Sequence, residues 1–314
     1  MGVDEPGRED RRAQVLHLEA FGRETGDAAA QAAERVAAAV AELDALTGPR
    51  GRAGVSPHAP YTVGPALWAA LRAHPGLAGR PWATHLAESA DEEQVIASGG
   101  GPLGALFAAA GLEPGRWEGP DGAGPVGRVT GAGVTAPGLV AAHCVRLGRD
   151  DPSGLAAAGI GVAHCPRSNV HLRCGRAPLE ALRAAGVTVG LGTDSPASGG
   201  DYDLRAEARA CRDAHAGHLD LDAEAALRLI TIDAARVLGL DGELGRLARG
   251  ARADLVCLRP GGPVADPWSA ALDARTRVRT IVVGGEVLLD EGEPTRLDAT
   301  ALRTAAAEAR ARLC

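Results

Sequence analysis

Six short apolar runs, separated by segments of helical period, constrain this chain more than any other feature. They span residues 15–21, 52–58, 81–88, 139–144, 161–165 and 187–191. Helix-like stretches at 26–46, 65–74, 91–98, 103–110, 153–158 and 178–185 fall between them. Strands that alternate with helices make βα units and a parallel sheet. Polar residues recur at or just past the ends of these runs: His58, His85 with Glu88, His143, the segment 165–169, and Asp194. Five such placements on one edge predict an α/β barrel, because a barrel carries its chemistry where its strands end.

Asp194 shows the pattern most clearly. The run Val187, Val189, Leu191 reads as a short buried strand, and Thr193-Asp194-Ser195-Pro196 breaks it. Taken alone, Asp194 is a turn residue that caps the next helix. Taken with His85, Glu88 and His143, it completes a His/Glu/His/Asp set. Hydrolytic metal sites need several nitrogen and oxygen ligands, an open position for water, and a carboxylate to manage protons. Neutral imidazoles suit zinc or iron, and Glu88, three residues past His85, is placed to accept and deliver protons.

Composition removes several alternatives. All 33 Lys and Arg residues are arginine, so a Schiff-base lysine, a P-loop lysine and a carbamylated lysine bridging two metals are excluded within this sequence. The net charge of -7 argues against a general nucleic-acid binder. No apolar run is long enough to span a bilayer, and residues 1–12 are charged, without an apolar signal stretch. The six cysteines form no Cys-x-x-Cys pair and read as reduced cytosolic thiols, so a cytoplasmic protein is expected.

The C-terminal part reads differently. Helical patterns at 204–215, 222–230 and 233–238 give way to β-rich stretches at 253–258 and 280–289, with Gly284-Gly285 as a hairpin turn and a closing helix at 299–313. Segment 115–138, rich in Gly and Pro, reads as a surface excursion. His215-x-x-His218 reads as surface. Two domains are expected: a catalytic partial barrel over 1–243, and a β-rich segment with a terminal helix over 244–314.

Five motifs occur in order: Ser-Pro-His-Ala-Pro-Tyr-Thr (56–62), His-Leu-Ala-Glu (85–88), Ala-His-Cys-Val-Arg-Leu (142–147), Ala-His-Cys-Pro-Arg-Ser-Asn (163–169) and Leu-Gly-Thr-Asp-Ser-Pro-Ala-Ser (191–198). Together they resemble the amidohydrolase superfamily. Within it they are similar to the cytosine/adenosine deaminase-like branch, which includes S-adenosylhomocysteine, 5'-methylthioadenosine and aminodeoxyfutalosine deaminases and chlorohydrolases. Segments 245–256 and 278–287 resemble the small β-sandwich domain of such enzymes.

The resemblance implies a (β/α)8 barrel and hydrolytic deamination of an adenine-ring nucleoside-like substrate by a metal-bound hydroxide. Alternatives are hydrolysis of another amino- or chloro-substituted heterocycle, or a non-catalytic paralogue. It further implies one divalent metal, zinc ahead of iron, with His85 and Asp194 as ligands. Asp194 would also take the water's proton, His143 would orient the hydroxide, and Glu88 would shuttle the proton to the ring nitrogen and the leaving ammonia. His58, Arg167, Ser168 and Asn169 would contact substrate, and Arg167 is suited to clamp a carboxylate. Expected partners are a small-molecule substrate and further copies of the chain, with neither nucleic acid nor membrane.

One departure matters. The family also binds its metal through a His-x-His pair on its first barrel strand, and none of the nine histidines here forms one. Six strands are legible where a barrel has eight. The expectation is that the missing strands precede residue 1, or that the chain is a short paralogue. Two ligands hold zinc weakly, so little turnover is expected of this chain, and the strands at 15–21 and 187–191 are expected as exposed edges.

Overall fold

The computed structural model describes residues 14–48, 51–114, 117, 123–135 and 137–313. Segment 1–12, Pro49, Cys314 and parts of segment 115–138 lie outside the described residues. In chain order the elements up to the sixth strand are β1 (Gln14–Ala20), α1 (Gly26–Leu46), β2 (Gly51–Pro57), α2 (Pro65–Ala73), β3 (Trp82–Leu86), α3 (Ala90–Ser98), α4 (Gly101–Ala109), α5 (Pro125–Gly131), β4 (Leu139–His143), α6 (Asp151–Ala157), β5 (Gly161–His164), α7 (Pro166–His171), α8 (Leu179–Ala184) and β6 (Val189–Leu191). Then come α9 (Pro196–Gly199), α10 (Leu204–His215), α11 (Ala223–Leu229) and α12 (Ile232–Val237).

The six strands form one sheet in the order β1-β2-β3-β4-β5-β6, every pair parallel. Strand order follows chain order, the arrangement of consecutive βα units in a barrel. In β3 and β4 alternate residues are fully buried: Trp82, Thr84 and Leu86, then Leu139, Ala141 and His143. The half-buried residues between them face a cavity of about 390 Å³, lined by Val15, His17, Ala83, His85, Ala142 and Leu244 among others. The sheet and its helices reproduce the α/β barrel type expected, with six of eight strands.

Close backbone approaches hold the sheet in place. A Cβ at Gly54 would stand 2.2 Å from the Pro81 carbonyl oxygen, so β2 and β3 require glycine there. At Gly190 a Cβ would stand 2.7 Å from the Ala234 Cα, where α12 lies against β6. Val189 and Leu191 are buried accordingly, and β6 is not the exposed edge expected. At the other edge, β1 keeps Leu16 exposed.

Other expectations are corrected. Segment 115–138 is no mere surface excursion: Trp117 is buried, stacks edge-on against Trp68 at 5.3 Å and donates to the Pro60 carbonyl at 2.8 Å. Helix α5 buries Val126 and Val129. Residues 166–169 begin helix α7, with Pro166 in its first turn. His215 is fully buried rather than on the surface.

Contacts divide the chain into Met1–Gly245 and Arg246–Cys314. The second unit holds β7 (Leu255–Arg259), α13 (Pro267–Leu272), β8 (Arg277–Val283), β9 (Glu286–Asp290), β10 (Glu293–Pro294) and α14 (Ala299–Leu313). Its strands form an antiparallel sheet in the order β10-β9-β8-β7. Gly284 and Gly285, at φ 59° and 82°, make the tight turn between β8 and β9. Among the described residues, no helix is long and apolar enough to cross a membrane.

Candidate active site

The strand ends deliver five of the expected residues to one edge. His58 follows β2, His85 lies in β3, Glu88 just beyond it, His143 closes β4, and Asp194 follows β6. His58 and His85 have ring centroids 4.9 Å apart, and His85 and His143 stack at 5.7 Å. Glu88 Oε1 lies 3.7 Å from His143 Nε2.

Each ring is held by its other nitrogen. His85 Nδ1 donates to the His58 carbonyl at 2.8 Å, which leaves Nε2 with its lone pair free. His58 Nδ1 meets Thr62 Oγ1 at 2.8 Å, and that hydroxyl donates its own hydrogen to the Ala59 carbonyl. His58 Nδ1 is therefore the donor, and its Nε2 too is left as an acceptor. His143 Nδ1 donates to Asn169 Oδ1 at 3.0 Å, and Asn169 Nδ2 donates to His164 Nδ1 at 3.2 Å. Burial, then the neighbouring His85, holds the His58 pKa below its ordinary value.

Backbone strain marks the same edge. Ala87, His143, Cys144 and Asp194 all have positive φ, a conformation that costs a non-glycine residue roughly 1–3 kcal/mol. At Ala87 the compensation is visible. The buried Glu92 carboxylate accepts the backbone N–H of Ala87 at 3.0 Å and of Glu88 at 2.7 Å. Burial raises the Glu92 pKa to about 7 against these hydrogen bonds. Asp194 Oδ2 accepts from Ser168 at 2.7 Å and Ser198 at 2.6 Å. Burial pushes its carboxyl up, yet those hydroxyls and the His143 and His85 rings prevail and hold it below its ordinary value.

The segment after β5 points onto the chain's own groups. Ser168 and Asn169 are buried and bonded to Asp194, His143 and His164 as described. The Arg167 guanidinium lies 2.6 Å from Asp201 and 3.6 Å from the fully buried Glu207. The carboxylate clamp expected of Arg167 is thus engaged within the chain.

Sequence reasoning missed an aromatic wall. Phe21 stacks on His58 at 4.7 Å, Tyr61 meets His58 edge-on at 6.1 Å, and Phe107 meets Tyr61 at 6.4 Å. The chain has only two Phe and two Tyr, and two of these four rings pack on His58 while a third, Phe107, packs on Tyr61. That scarcity was the available signal.

The sequence profile of the Amidohydrolase family matches residues 8–288. The chain belongs to the amidohydrolase family. A 5-methylthioadenosine/S-adenosylhomocysteine deaminase of Syntrophobacter fumaroxidans is 34% identical over 254 residues, covering 76% of this chain and 52% of that protein. An aminodeoxyfutalosine deaminase of Deinococcus radiodurans is 38% identical over 200 residues, covering 62% of this chain and 47% of its own length. Among solved structures, a zinc-bound adenosine deaminase from Xanthomonas campestris superposes with a TM-score of 0.73 at 28% identity, covering 89% of this chain and 62% of that one. This amidohydrolase chain spans about half the length of the curated relatives it matches.

Membership in the amidohydrolase family, with zinc-bound neighbours, implies a divalent metal. His85 and Asp194 fit it only in part. Both present ligand atoms of the right type, but a catalytic zinc site takes three protein ligands. Among the described residues, the groups of three donor atoms within 4.8 Å of one another are Glu19, His58, His85 and His164, Cys211, His215. Neither includes Asp194.

Proposed function

We propose that this chain carries the proton-handling and substrate-binding part of a hydrolytic deaminase for adenine-ring nucleosides. The single observation behind this reading is the Glu88–His143 pair, set beside His85 and Asp194 on one sheet edge. In the reaction, water forms a bond to the ring carbon bearing the exocyclic amine, and the bond to nitrogen breaks. Glu88 carries a proton first to the ring nitrogen and then to the departing ammonia. His143, its Nε2 lone pair facing Glu88, orients the attacking water, and Asp194 accepts the water's proton. His58 and the aromatic wall receive the base and sugar, since a purine stacks on aromatic rings. The similarity to deaminases of methylthioadenosine, S-adenosylhomocysteine and aminodeoxyfutalosine supports this substrate class. Zinc is the metal we assign, held in a complete site by ligands beyond His85 and Asp194. Cytosolic residence is proposed on the five free cysteines among the described residues.

The test joins this chain to the preceding segment of the Syntrophobacter relative and assays ammonia release. The panel is adenosine, 5'-methylthioadenosine, S-adenosylhomocysteine and aminodeoxyfutalosine, with a chlorotriazine for comparison. The zinc-loaded chimera is expected to release ammonia from at least one nucleoside, and the chain alone from none. A folded, zinc-loaded chimera that releases only chloride, or nothing, overturns the reading.

A further inference from the structure

We propose that His164, Cys211 and His215 form a second, buried metal site for a thiolate-seeking divalent ion of the zinc class. It lies between β5 and α10, shares no ligand with the strand-edge site, and does not depend on the deaminase reading.

Three observations carry it. First, one donor atom from each residue lies within 4.8 Å of the other two, and all three residues are at most 1% exposed. Cys211 and His215 stand four apart in α10, so they share one helix face, and His164 closes β5. Second, Nδ1 of each ring is already taken, by Asn169 at 3.2 Å and by Arg176 at 2.9 Å, while neither Nε2 has a hydrogen-bond partner. Nε2 is thus the nitrogen that each ring offers an ion. Buried polar atoms are normally paired, and an interior ring nitrogen without a partner is costly. Third, a cavity of about 200 Å³, lined by His164, Asn169, Arg173 and Arg176 among others, reaches the cluster and gives an entry path. One thiolate and two imidazoles are a zinc donor set, and the cavity leaves room for an exchangeable fourth ligand.

The hydrogen-bond directions say what binding must change. A guanidinium can only donate, and the Asn169 amide nitrogen faces His164, so both Nδ1 atoms accept and both ring hydrogens sit on Nε2. Taking up the ion moves each of these hydrogens to Nδ1 and releases the Cys211 thiol proton to solvent. The partners for the moved hydrogens are in place. Glu180 Oε2 lies 3.7 Å from His215 Nδ1 and accepts from it once the half-buried Arg176 yields. A carboxylate on the far nitrogen is the usual outer partner of a metal-bound imidazole. At His164 the Asn169 amide turns over, and its oxygen becomes the acceptor.

Cobalt is the probe, because a thiolate ligand gives Co2+ an intense near-ultraviolet charge-transfer band that nitrogen and oxygen ligands do not. The full chain, kept reduced, is titrated with Co2+ and read by absorption and calorimetry. Cys211→Ser, His215→Gln, Glu180→Gln and Cys174→Ser are titrated alongside. Cys174, whose Sγ lies 3.9 Å from Glu88 Oε1, is the thiol that an ion at the strand edge would meet. The parent is expected to show the band and to release about one proton per ion. Cys211→Ser is expected to abolish the band, and His215→Gln and Glu180→Gln to weaken the band-forming ion by about tenfold or more. Cys174→Ser is expected to leave band and affinity unchanged. Glu180 is half-exposed, so Glu180→Gln keeps the test open should a buried variant fail to fold. A parent without the band overturns the proposal, and so does a band that survives Cys211→Ser and vanishes with Cys174→Ser. The deaminase reading makes no use of Cys211, so a silent chimera would sink that reading alone, and a missing band this one alone.

Discussion

Glu88 Oε1 faces His143 Nε2 across 3.7 Å, and the Asn169 amide on the far side of the ring fixes which nitrogen of His143 holds its hydrogen. A hydrogen carried by Glu88 thus meets an acceptor on His143. Glu88→Gln removes the carrier and keeps the shape. In the zinc-loaded chimera we expect this substitution to lower kcat by roughly 10²–10⁴-fold, with KM nearly unchanged. Steady-state ammonia assays check it, and a loss of less than tenfold would remove Glu88 from proton transfer.

Asn169 is the sole asparagine of the chain, and its two bonds tie His143 to His164. Asn169→Asp offers oxygens to both rings and so forces the hydrogen of His164 onto Nδ1. We expect nitrogen-15 imidazole spectra of the folded variant to show the His164 tautomer exchanged. An unchanged His164 signal would contradict the hydrogen-bond directions given above.

Glu92 supplies a pH dependence whose sign is fixed. Its folded pKa, about 7, lies above the ordinary carboxylate value, so between about pH 4.5 and 7 the native state binds the extra proton. Its contribution is fully present below pH 4.5 and is lost as pH rises through 7. By linkage that loss is at most about 3 kcal/mol. Urea unfolding at pH 5 and pH 8 should show a difference that Glu92→Gln removes. Equal pH dependence in parent and variant would discount the buried clamp.

Histidine burial acts in the opposite direction. Burial, with His215 and His143 nearby, lowers the His164 pKa to about 3. The unfolded chain takes up that proton as pH falls below 6.5 and the native state resists it, so stability declines from pH 6.5 downward. His164→Gln is expected to flatten this acid limb in circular-dichroism titrations, and an unaltered limb would place the acid sensitivity elsewhere.

Arg167 bridges the exposed Asp201 and the buried Glu207. Arg167→Ala removes the cation beside Glu207 and leaves its carboxylate the backbone N–H of residue 167, so we expect a loss of roughly 2–4 kcal/mol in stability. In the chimera, KM for a carboxylated nucleoside should hardly move. A large KM rise without a stability loss would restore Arg167 as a substrate clamp.

Much of this could be read in the sequence, for physical reasons. The strands were legible because apolar runs of four to eight residues bounded by Gly and Pro have few alternatives, and their polar ends pointed to His85, Glu88, His143 and Asp194. Less legible was what holds those residues. Trp117 looked like part of a loop because its partner Pro60 is 57 positions away. His215 looked exposed because α10 is strongly charged, while the residues that bury it come from elsewhere in the fold. Ser168 and Asn169 looked like pocket lining because a motif records residue types but not the directions of their hydrogen bonds. Glu19 and Phe21 carried no motif, and only the register of β1 against β2 sets them near His58.

The left-handed residues at the strand ends carry a consequence for anyone evolving this protein. Ala87, His143, Cys144 and Asp194 are four of the six non-glycine residues with positive φ among those described. Glycine at Ala87 relieves that conformation and removes only a methyl group. A library selected for heat resistance alone would therefore accumulate glycine there first. Its survivors would outlast the parent in a hot bath while losing the fixed backbone that aims Glu88 and His143, so selection on temperature and selection on chemistry would pull the same few codons in opposite directions.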